Sequence, residues 1–538
     1  MIVLAKAKKI TAYIVSLIIL VAALGISVYY IVGPAAAEFH ADCSDTLYWA
    51  NASYESGKTV SDTFFYSALL PFGGQLIMLP LIGIFGFSLT AHTVGMIIFT
   101  VIFAAALYFM FRSLGMSLPA SFGSVGVMLM IFSVSKKMRE MFYGHVIYYS
   151  LGILFFALLI GAVLRLISYA ENKKPIALIS VMAVVTAILG AGIATDGLQV
   201  IVLSTAPVIF ALFIDTILDG DKKLISKENI PAGLSLLILA VSTVIGMAVM
   251  KAISSGVIAG YAEGYSTYDS MGDWIENLLS FPQKYFSLIG VSVIQNDPLF
   301  DFNSVINILR IAFSIIVLII PVFGAVKYRS IRHRSVRIIT VAHFFVSAFV
   351  LFGFVFGKLA AANWRIIPMY GTAVLASLAI LWELFSHGIV GKRVSCLLLV
   401  FILAVGVIAG AETVCLPSKS EDNAHLYELS EYLTENGLSY GYADYWEAQA
   451  ISVIEGPDIK VRGIRVRDSG DIEMYPYQTD SLWYGVQSEE YFVILDSSDK
   501  MKYLRSLSYV NAADYLVSSD SVGSYTVFVF SADPLPAE

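Results

Sequence analysis

Residues 10–32, ITAYIVSLIILVAALGISVYYIV, are followed directly by residues 33–58, GPAAAEFHADCSDTLYWANASYESGK. The first stretch has 23 residues and no charged side chain. Because about 20 apolar residues in a helix cross the roughly 30 Å of hydrocarbon in a bilayer, this stretch predicts a membrane span. It is longer than the apolar part of a signal peptide and similar stretches follow it, so we interpret it as a retained signal anchor.

The rest of the chain also has the composition of a membrane protein. Of 538 residues, 58% are hydrophobic and 14% are charged, whereas soluble domains carry about 25% charged residues. Eleven stretches are long enough to span, at about residues 10–32, 90–111, 117–134, 146–168, 175–194, 197–217, 231–254, 305–326, 337–357, 366–386 and 394–413. The predicted fold class is therefore an α-helical polytopic membrane protein with about 11 transmembrane helices.

The C-terminal part has the opposite character. Residues 416–538 hold 8 Lys and Arg against 21 Asp and Glu, a net charge of −13; since the whole chain carries −7, the remainder carries +6. KVRGIRV, YFVILDS and YTVFVFS have the pattern of strands, AHLYELSEYLTENGL has a helical period, and a short helix is expected near KMKYLRSL. About 120 residues can support their own core. We therefore predict a transmembrane domain at 1–415 and a separately folding α/β domain at 416–538.

The basic residues predict the orientation of the spans. If the N-terminus is inside, every predicted cytoplasmic loop carries cations, as the positive-inside rule requires. These cations are Lys6, Lys8, Lys9, Arg112, Arg165, Lys173, Lys174, Lys222, Lys223, Lys227, those of the run KYRSIRHRSVR, Lys392 and Arg393. The run SVSKKMREMFYGH is the exception, cationic on the predicted outer side, and is either a phosphate-binding loop or tolerated charge. An odd number of spans then places the tail outside. We predict a multi-pass protein of the cell (plasma) membrane with a cytoplasmic N-terminus and an extracytoplasmic C-terminal domain.

Two further segments, besides the tail, are predicted to lie outside. Residues 33–89 end in LLPFGGQLIMLPLIGIFGF, which two prolines and four glycines interrupt, so we expect this stretch to lie along the interface and not to cross. Residues 255–304 form a polar loop whose notable side chains are Tyr261, Glu263, Asp269, Asp273, Trp274 and Glu276.

The three cysteines, Cys43, Cys396 and Cys415, have no zinc or redox spacing. The topology allows a disulfide between Cys43 and Cys415, and unpaired thiols are the preferred interpretation.

Acidic residues are concentrated just after the first span. Glu38, Asp42 and Asp45 fall within eight residues, with His40 among them and Tyr48 shortly after. One carboxylate beside a span is equally well explained as a solvated loop charge. Three of them, followed by aromatic residues, favour a site that carries chemistry.

The order of these features resembles the membrane glycosyltransferases of the GT-C fold, which include protein O-mannosyltransferases and bacterial aminoarabinose transferases. That class has a span, an acidic motif like D-E-x-x-Y, an interfacial stretch ending in FG, and R-Y-x-x-P at the start of a late span. The matching segments here are SDTLYWANASYESGK, PLIGIFGFSLTAH and NWRIIP at 363–368. Asp45 and Tyr48 match the second acid and the tyrosine, whereas Ser44 replaces the first acid. Either Asp45 or Asp42 could therefore be the base. The resemblance covers about residues 10–413.

The resemblance implies transfer of a sugar, hexosyl or pentosyl, from a polyprenyl-phosphate carrier to a glycan, lipid or protein acceptor at the outer face of the membrane. A carboxylate, Asp45 or Asp42, would accept the proton of the acceptor hydroxyl, and cations would stabilise the departing phosphate. The candidate substrate-binding residues are Glu38, Tyr48, His92, Lys137, Arg139 and Arg365. Arg365 beside Trp364 is equally well explained as an interfacial anchor.

Two other classes of function compete with this one. A transporter or flippase for a lipid-linked glycan would share the spans, but it predicts inverted repeats and polar groups near the membrane centre, which the sequence does not display. A non-catalytic scaffold that displays the tail as a binding module would not need acids beside the first span. No nucleotide motif or His/Cys cluster predicts a cofactor or nucleic acid, and a divalent cation between phosphate and carboxylate stays open.

The orientation can be tested with a reporter that is active only outside the cytoplasm. Fused after Pro417, it is expected to be active, because an odd number of spans precedes the fusion point. The same reporter fused after Lys174, in a predicted cytoplasmic loop, is the control and should be inactive. The opposite pattern would place the tail in the cytoplasm.

Overall fold

The computed structural model describes residues 2–218, 229–257, 267–293, 298, 301–386, 388–418 and 423–535, with the backbone alone at residues 2–6 and 8. Predicted features that lie outside the described residues or side chains are Lys6, Lys8, Lys222, Lys223, Lys227, Tyr261 and Glu263. The chain divides into two compact units. The helical unit comprises Met1–Tyr30, Phe99–Ala252 and Glu263–Leu416; the tail unit comprises Ile31–Ile98, Ile253–Ala262 and Pro417–Glu538.

The units differ from the predicted domains in one respect. The predicted boundary after residue 415 lies one residue from the boundary after Leu416, but residues 31–98 group with the tail and not with the spans. Whether the tail folds without them stays a prediction.

Ten helices in the described part of the chain are long and apolar enough to cross a membrane. They are Lys9–Ala37, Leu89–Ser113, Tyr148–Glu171, Ile176–Thr195, Leu198–Leu218, Ile230–Ile253, Phe302–Val326, Arg334–Val355, Asn363–Phe385 and Gly388–Val414. A bent pair, Leu118–Ile131 with Lys136–Gly144, is an eleventh candidate. Every predicted span has a counterpart, and the polytopic helical fold class is confirmed.

The third predicted span, 117–134, is not a single straight helix. Leu118–Ile131 has 14 residues and therefore a length of about 21 Å, less than the roughly 30 Å of the hydrocarbon core. The chain then bends by 119° into Lys136–Gly144, where the Ser135 hydroxyl caps the new helix by accepting from the Met138 N–H at 3.1 Å. Because of this bend, the cationic run Lys136–Arg139 does not continue in the direction of the span helix.

Small residues allow the helices to approach one another closely. A Cβ atom at Gly246 would collide with the Ala191 carbonyl, and one at Gly126 would collide with the backbone of Ile19. In lipid, where apolar side chains gain nothing by leaving the solvent, such close backbone packing is a main source of helix association.

A buried carboxylate holds one end of the helical unit together. Asp215 is fully buried and accepts from Arg334 Nε at 2.6 Å, Arg337 Nε at 3.1 Å and the Tyr328 hydroxyl at 2.7 Å. Arg334 also contacts the more exposed Glu171 at 3.0 Å. The cluster therefore brings together the C-terminal ends of helices Tyr148–Glu171 and Leu198–Leu218 and the start of helix Arg334–Val355.

A second ion pair lies at the opposite helix ends. Arg310 donates to the carbonyls of Val134 and Gly290, both at 2.9 Å, and to the Glu412 carboxylate at 2.6 Å.

Within the predicted polar loop, residues Asp273–Leu288 form an amphipathic helix. Its exposed side chains include Ile275 and Leu279, a pattern typical of a helix that lies in the plane of a membrane surface.

The tail unit is built on a six-stranded mixed sheet. Its strands are β2 Tyr440–Ala443, β3 Lys460–Val466, β4 Ile472–Met474, β6 Tyr491–Asp496, β7 Leu516–Val522 and β8 Tyr525–Phe530. The order is β4-β3-β2-β6-β8-β7, with β2 parallel to β3 and β6 and the other pairs antiparallel. Two short strands, β1 Phe64–Phe65 and β5 Thr479–Asp480, form a separate two-stranded sheet. Helices Ala424–Glu435, Tyr445–Glu455, Ser497–Tyr503 and Leu507–Ala512 complete the α/β architecture.

The predicted strands KVRGIRV, YFVILDS and YTVFVFS are confirmed as β3, β6 and β8, and the helix predicted at AHLYELSEYLTENGL is confirmed as Ala424–Glu435. Strands β2 and β7 and helix Tyr445–Glu455 were not predicted from the sequence. The aromatic residues of β2, Tyr440 and Tyr442, are buried in the core of the sheet.

Residues after the first span are folded onto the tail within this unit. They form helices Asp45–Ser56 and Gln75–Phe85, and β1 pairs antiparallel with β5, Phe64 opposite Asp480. Gln75–Phe85 has 11 residues, too few to cross a bilayer, in agreement with the interfacial stretch expected here. The three cysteines are free, as preferred from the sequence.

Replacing Asp215 with Asn is expected to destabilise the helical unit by on the order of 3–5 kcal/mol, because two half-buried guanidinium groups would lose their buried counter-ion. Thermal unfolding of the purified protein in detergent measures the effect. Glu171→Gln is the matched control: it removes a more exposed partner of the same Arg334, and its effect should stay below about 1 kcal/mol. Similar stability of both variants would mean that the buried cluster contributes no more than a surface pair.

Candidate active site

The acidic segment that follows the first span lies in a short 3-10 turn and in the first turn of the helix after it. After Ala37 the chain turns through a 3-10 turn, Ala41–Ser44, and enters helix Asp45–Ser56 with Asp45 as its first residue. The N-terminal turn of a helix favours a negative charge, because its free N–H groups carry partial positive charge. The local fold therefore places Asp45 at the start of the helix and Asp42 three residues earlier, in the 3-10 turn.

The tail supplies the surroundings of both carboxylates. The Tyr445 hydroxyl donates to Asp42 Oδ1 at 3.0 Å, and Asp42 is half-buried. Asp45 is 6% exposed. Burial raises the pKa of Asp45 well above its usual value of 3.8, and the neighbouring Asp42 charge raises it further. The Gln478 amide, His40 and the Tyr445 hydroxyl act in the opposite direction.

Gln478 organises this region. Its backbone lies in the left-handed region with φ of 53°, which is uncommon for a residue with a side chain. Three contacts hold it there: its N–H donates to the Phe65 carbonyl at 2.8 Å, its carbonyl accepts from Gln449 Nε2 at 2.8 Å, and its Oε1 accepts from the Trp49 indole at 2.7 Å. Unusual backbone conformations persist when the surrounding structure fixes them in this way, and they concentrate at functional sites.

The other predicted residues of the tail unit lie near this segment. Tyr48 is buried, and its hydroxyl donates to the Gln449 carbonyl at 3.4 Å. His92 is buried with its ring edge-to-face against Phe39 at 5.3 Å. Glu38 is half-buried at the end of the first span. Asp42, Asp45, Tyr48, His92 and Glu38 thus belong to one unit, and the sequence analysis placed all five among its candidates.

The predicted cations belong to the helical unit. Lys137 Nζ lies 4.5 Å from the centroid of the Trp364 ring and forms an ion pair with Glu140. The neighbouring Arg365 donates through one guanidinium nitrogen to the Lys358 carbonyl at 2.6 Å. The bent segment and the NWRIIP motif, more than 200 residues apart in sequence, are therefore brought together. Arg139 is buried over the Tyr30 ring at 5.5 Å and donates to the Ser133 carbonyl.

Arg365 also lines a cavity of about 400 Å³ in the helical unit. Among the described residues that line it, Arg365 is the one charged side chain. Its walls are mostly apolar, with a few hydroxyl and amide groups, and come from the ends of several spans; they include Tyr148, Tyr149, Leu203, Phe349 and Leu359. Such a cavity suits a ligand with an apolar chain and one anionic group.

Three notable residues were not predicted from the sequence: Tyr445 and Gln478, which belong to the acidic site, and Arg310, which pairs with Glu412. Tyr445 and Gln478 lie about 400 residues after the acids they contact, and Arg310 lies inside an apolar span. A charged residue in a span is a functional or structural signal in itself, so Arg310 could have been found; nothing in the local sequence marked Gln478.

No group of three or more His, Cys, Asp or Glu that could hold a metal ion occurs among the described residues.

The whole chain is similar to solved structures of membrane glycosyltransferases. ArnT from Cupriavidus metallidurans bound to undecaprenyl phosphate matches with a TM-score of 0.52 and 12% identity, over 99% of this chain and 100% of that chain. ArnT in the apo state matches with a TM-score of 0.50 and 11% identity, over 99% and 100%. The oligosaccharyltransferase AglB from Archaeoglobus fulgidus, in complex with an inhibitory peptide and a dolichol-phosphate, has a TM-score of 0.46 and 13% identity, over 95% and 74%.

No protein-family profile matches the chain, and no curated protein matches it in sequence. The likeness therefore concerns the fold. The fold is the GT-C fold of membrane glycosyltransferases, which the order of the sequence motifs predicted. In particular, the chain is similar over 99% of its length to the aminoarabinose transferase ArnT.

Asp45→Asn is expected to raise the melting temperature at about pH 7.5 and to leave it unchanged at about pH 3, below the usual pKa of the carboxyl. Because the folded-state pKa of Asp45 is raised, the stability that its protonated form contributes is lost as the pH rises through that value, and an uncharged amide avoids this loss. Asp62→Asn is the control: Asp62 is exposed and its pKa is lowered by Lys58, so this substitution should not stabilise the protein at neutral pH. A lower melting temperature for Asp45→Asn at about pH 7.5 would mean that the fold stabilises the carboxylate.

Proposed function

We propose that the protein is a glycosyltransferase that moves a sugar from a polyprenyl-phosphate carrier to an acceptor hydroxyl at the outer face of the plasma membrane. The observation that carries the proposal is the Asp42–Asp45 pair, held by Tyr445 directly after the first span. Its support is the GT-C fold, which the chain has in common with ArnT, a protein whose structure contains undecaprenyl phosphate. The predicted topology, with the tail outside, places this segment at the outer leaflet.

The proposed reaction exchanges one bond at the anomeric carbon for another. The acceptor oxygen forms a bond to this carbon while the bond from the carbon to the phosphate oxygen breaks. Asp45 takes the proton of the acceptor hydroxyl, and the polyprenyl phosphate leaves with the bonding electron pair. A base works best when its pKa lies near the working pH, and burial together with the Asp42 charge moves the pKa of Asp45 in that direction.

The helical unit supplies the groups suited to the carrier. The mostly apolar cavity of about 400 Å³ fits part of an isoprenoid chain, and Arg365 gives it one positive charge for the phosphate. Lys137 adds a second cation: its Nζ lies 4.5 Å from the ring centroid of Trp364, the residue that precedes Arg365 in sequence. Cations that face the leaving group stabilise the negative charge that develops there.

Incubation of the purified protein in nanodiscs with a panel of polyprenyl-phosphate sugars tests the reaction class. Release of polyprenyl phosphate with one of these donors is expected, in the presence of a mixture of glycan, lipid and peptide acceptors. Retention of every donor would contradict the proposal, and movement of intact lipid-linked sugar across the bilayer would favour a flippase.

Asp45→Asn is expected to lower the turnover by about a hundredfold to ten-thousandfold, the usual contribution of a general base. Asp42→Asn should retain more activity. Because it removes a charge that raises the pKa of Asp45, the acidic limb of its pH–rate profile should move to lower pH. Rates are compared at matched protein levels across the pH range. An inactive Asp42→Asn with an active Asp45→Asn would assign the base to Asp42, and full activity of both variants would exclude this segment from the reaction.

Arg365→Ala is expected to lose nearly all activity, since removing one donor to a developing anion costs on the order of 3 kcal/mol. Arg365→Lys should retain part of it, because the charge stays while the two-pronged geometry is lost. Arg393→Ala, which removes an exposed arginine at the other helix ends, is the control and should behave like wild type. Near-normal activity of both Arg365 variants would leave Arg365 as an interfacial anchor.

A further inference from the structure

The tail unit contains a second cavity, of about 380 Å³, that the reaction proposed above does not use. Helix Asp45–Ser56 forms one wall, and β3 with the segment after β5 forms another. The residues that give it chemical character are Tyr48, Asn51, Glu55, Lys460, Arg462 and Trp483. The volume is in the range of small-molecule binding sites.

Arg462 is a partly buried cation that has no ion-pair partner among the described residues. Its guanidinium lies over the Trp483 ring, 4.7 Å from the centroid. Its Nε is enclosed and has no hydrogen-bond acceptor. A charge that is partly removed from water without a partner is costly. A carboxylate or phosphate, which can accept two parallel hydrogen bonds from a guanidinium, would supply the missing partner.

The opposite wall offers fixed acceptors. Glu55 Oε2 accepts from the Trp483 indole at 2.7 Å, and its Oε1 accepts from Asn51 Nδ2 at 3.1 Å. These bonds hold the carboxylate in place and leave lone pairs that can accept hydroxyl groups. Tyr54, which is 57% exposed, also lines this cavity. An aromatic face beside fixed hydroxyl acceptors suits a sugar ring, which has one apolar face and a polar edge.

Two features of the chain locate the cavity. Tyr48 lines it and lies one helical turn, about 4.5 Å along the axis, after Asp45. Phe87 also lines it and precedes the span helix Leu89–Ser113 by two residues. A ligand in the cavity is therefore close to the membrane surface and to the proposed base.

We infer that this cavity binds an anionic saccharide, a sugar residue that carries a carboxylate or phosphate, with the acid on Arg462 and the hydroxyl groups on Glu55. Its role as the glycosyl acceptor rests on the proposed function, whereas binding itself does not. The same chemistry could come from a free glycan or from a lipid headgroup.

The test measures binding to the full-length protein in phosphatidylcholine nanodiscs without any sugar donor. The probes are glucuronate, glucose 6-phosphate, neutral glucose and inorganic phosphate. Glucuronate and glucose 6-phosphate are expected to bind about tenfold more tightly than glucose and than inorganic phosphate, because the sugar ring and the acid each contribute. Nanodiscs that contain phosphatidylinositol, a hydroxylated ring on a phosphate, distinguish the sources: competition with glucuronate indicates a lipid headgroup, and its absence indicates a free saccharide.

Arg462→Gln should reduce glucuronate binding to the level of glucose, and Arg462→Lys should retain part of the preference. Arg465→Gln is the matched control, since it removes the same charge from the same strand, at a residue that pairs with Glu473, and it should bind like wild type. If Arg462→Gln does not fold, Arg462→Lys and Glu55→Gln decide the matter, with Glu55→Gln weakening glucose and glucuronate alike. Equal affinity for glucose and glucuronate, equal affinity for inorganic phosphate alone, or unchanged binding in the folded Arg462 variants would overturn the inference.

The outcome is separable from that of the proposed function. Glucuronate binding that depends on Arg462, without turnover of any donor, would support the cavity and contradict the transferase. Turnover without such binding would support the transferase and contradict the cavity.

Discussion

The hydrogen bond from the Trp49 indole to the Gln478 side chain, 2.7 Å long, joins the segment after the first span to the tail. Around it, β1 pairs with β5 and Gln449 holds the Gln478 carbonyl. Without these contacts the acidic segment would be a loop of solvated carboxylates. With them, Asp45 is buried beside Asp42, and burial raises its pKa in the direction a base needs. The tail is therefore part of the acidic site and not only an appendage to the spans.

In the helical unit, buried and partly buried charges are likewise held by specific partners. Asp215 holds two arginines and a tyrosine at one set of helix ends, and Arg310 with Glu412 ties together the other set. Between these clusters the helices pack through glycines and apolar surfaces. The charged groups are paired with one another because the lipid offers them no hydrogen-bonding partner. Arg365 lines an apolar cavity, and Lys137 lies against the Trp364 ring while it pairs with Glu140.

Arg462 presents the opposite case to Asp215. Asp215 is fully buried and satisfied by its partners, whereas Arg462 is partly buried over Trp483 and has no carboxylate partner among the described residues. A satisfied buried charge is well explained as structure, and an unsatisfied one beside a cavity calls for a ligand. This difference, and not the presence of charge alone, separates a structural cluster from a candidate binding site.

The sequence by itself determined the spans, the GT-C order of motifs and three of the tail's strands, because each follows from a local apolar period or a local motif. It also picked out Asp42, Asp45, Tyr48 and Arg365, since an acid after a span or an arginine before one is visible within a few residues. It could not show that span 117–134 bends, nor that Tyr445 and Gln478 reach the acids from about 400 residues away. Those features depend on contacts between distant segments. Only the tertiary structure decides which distant groups share one buried environment. It therefore decides which carboxyl has a raised pKa, which charges form ion pairs and which charge is available to a ligand.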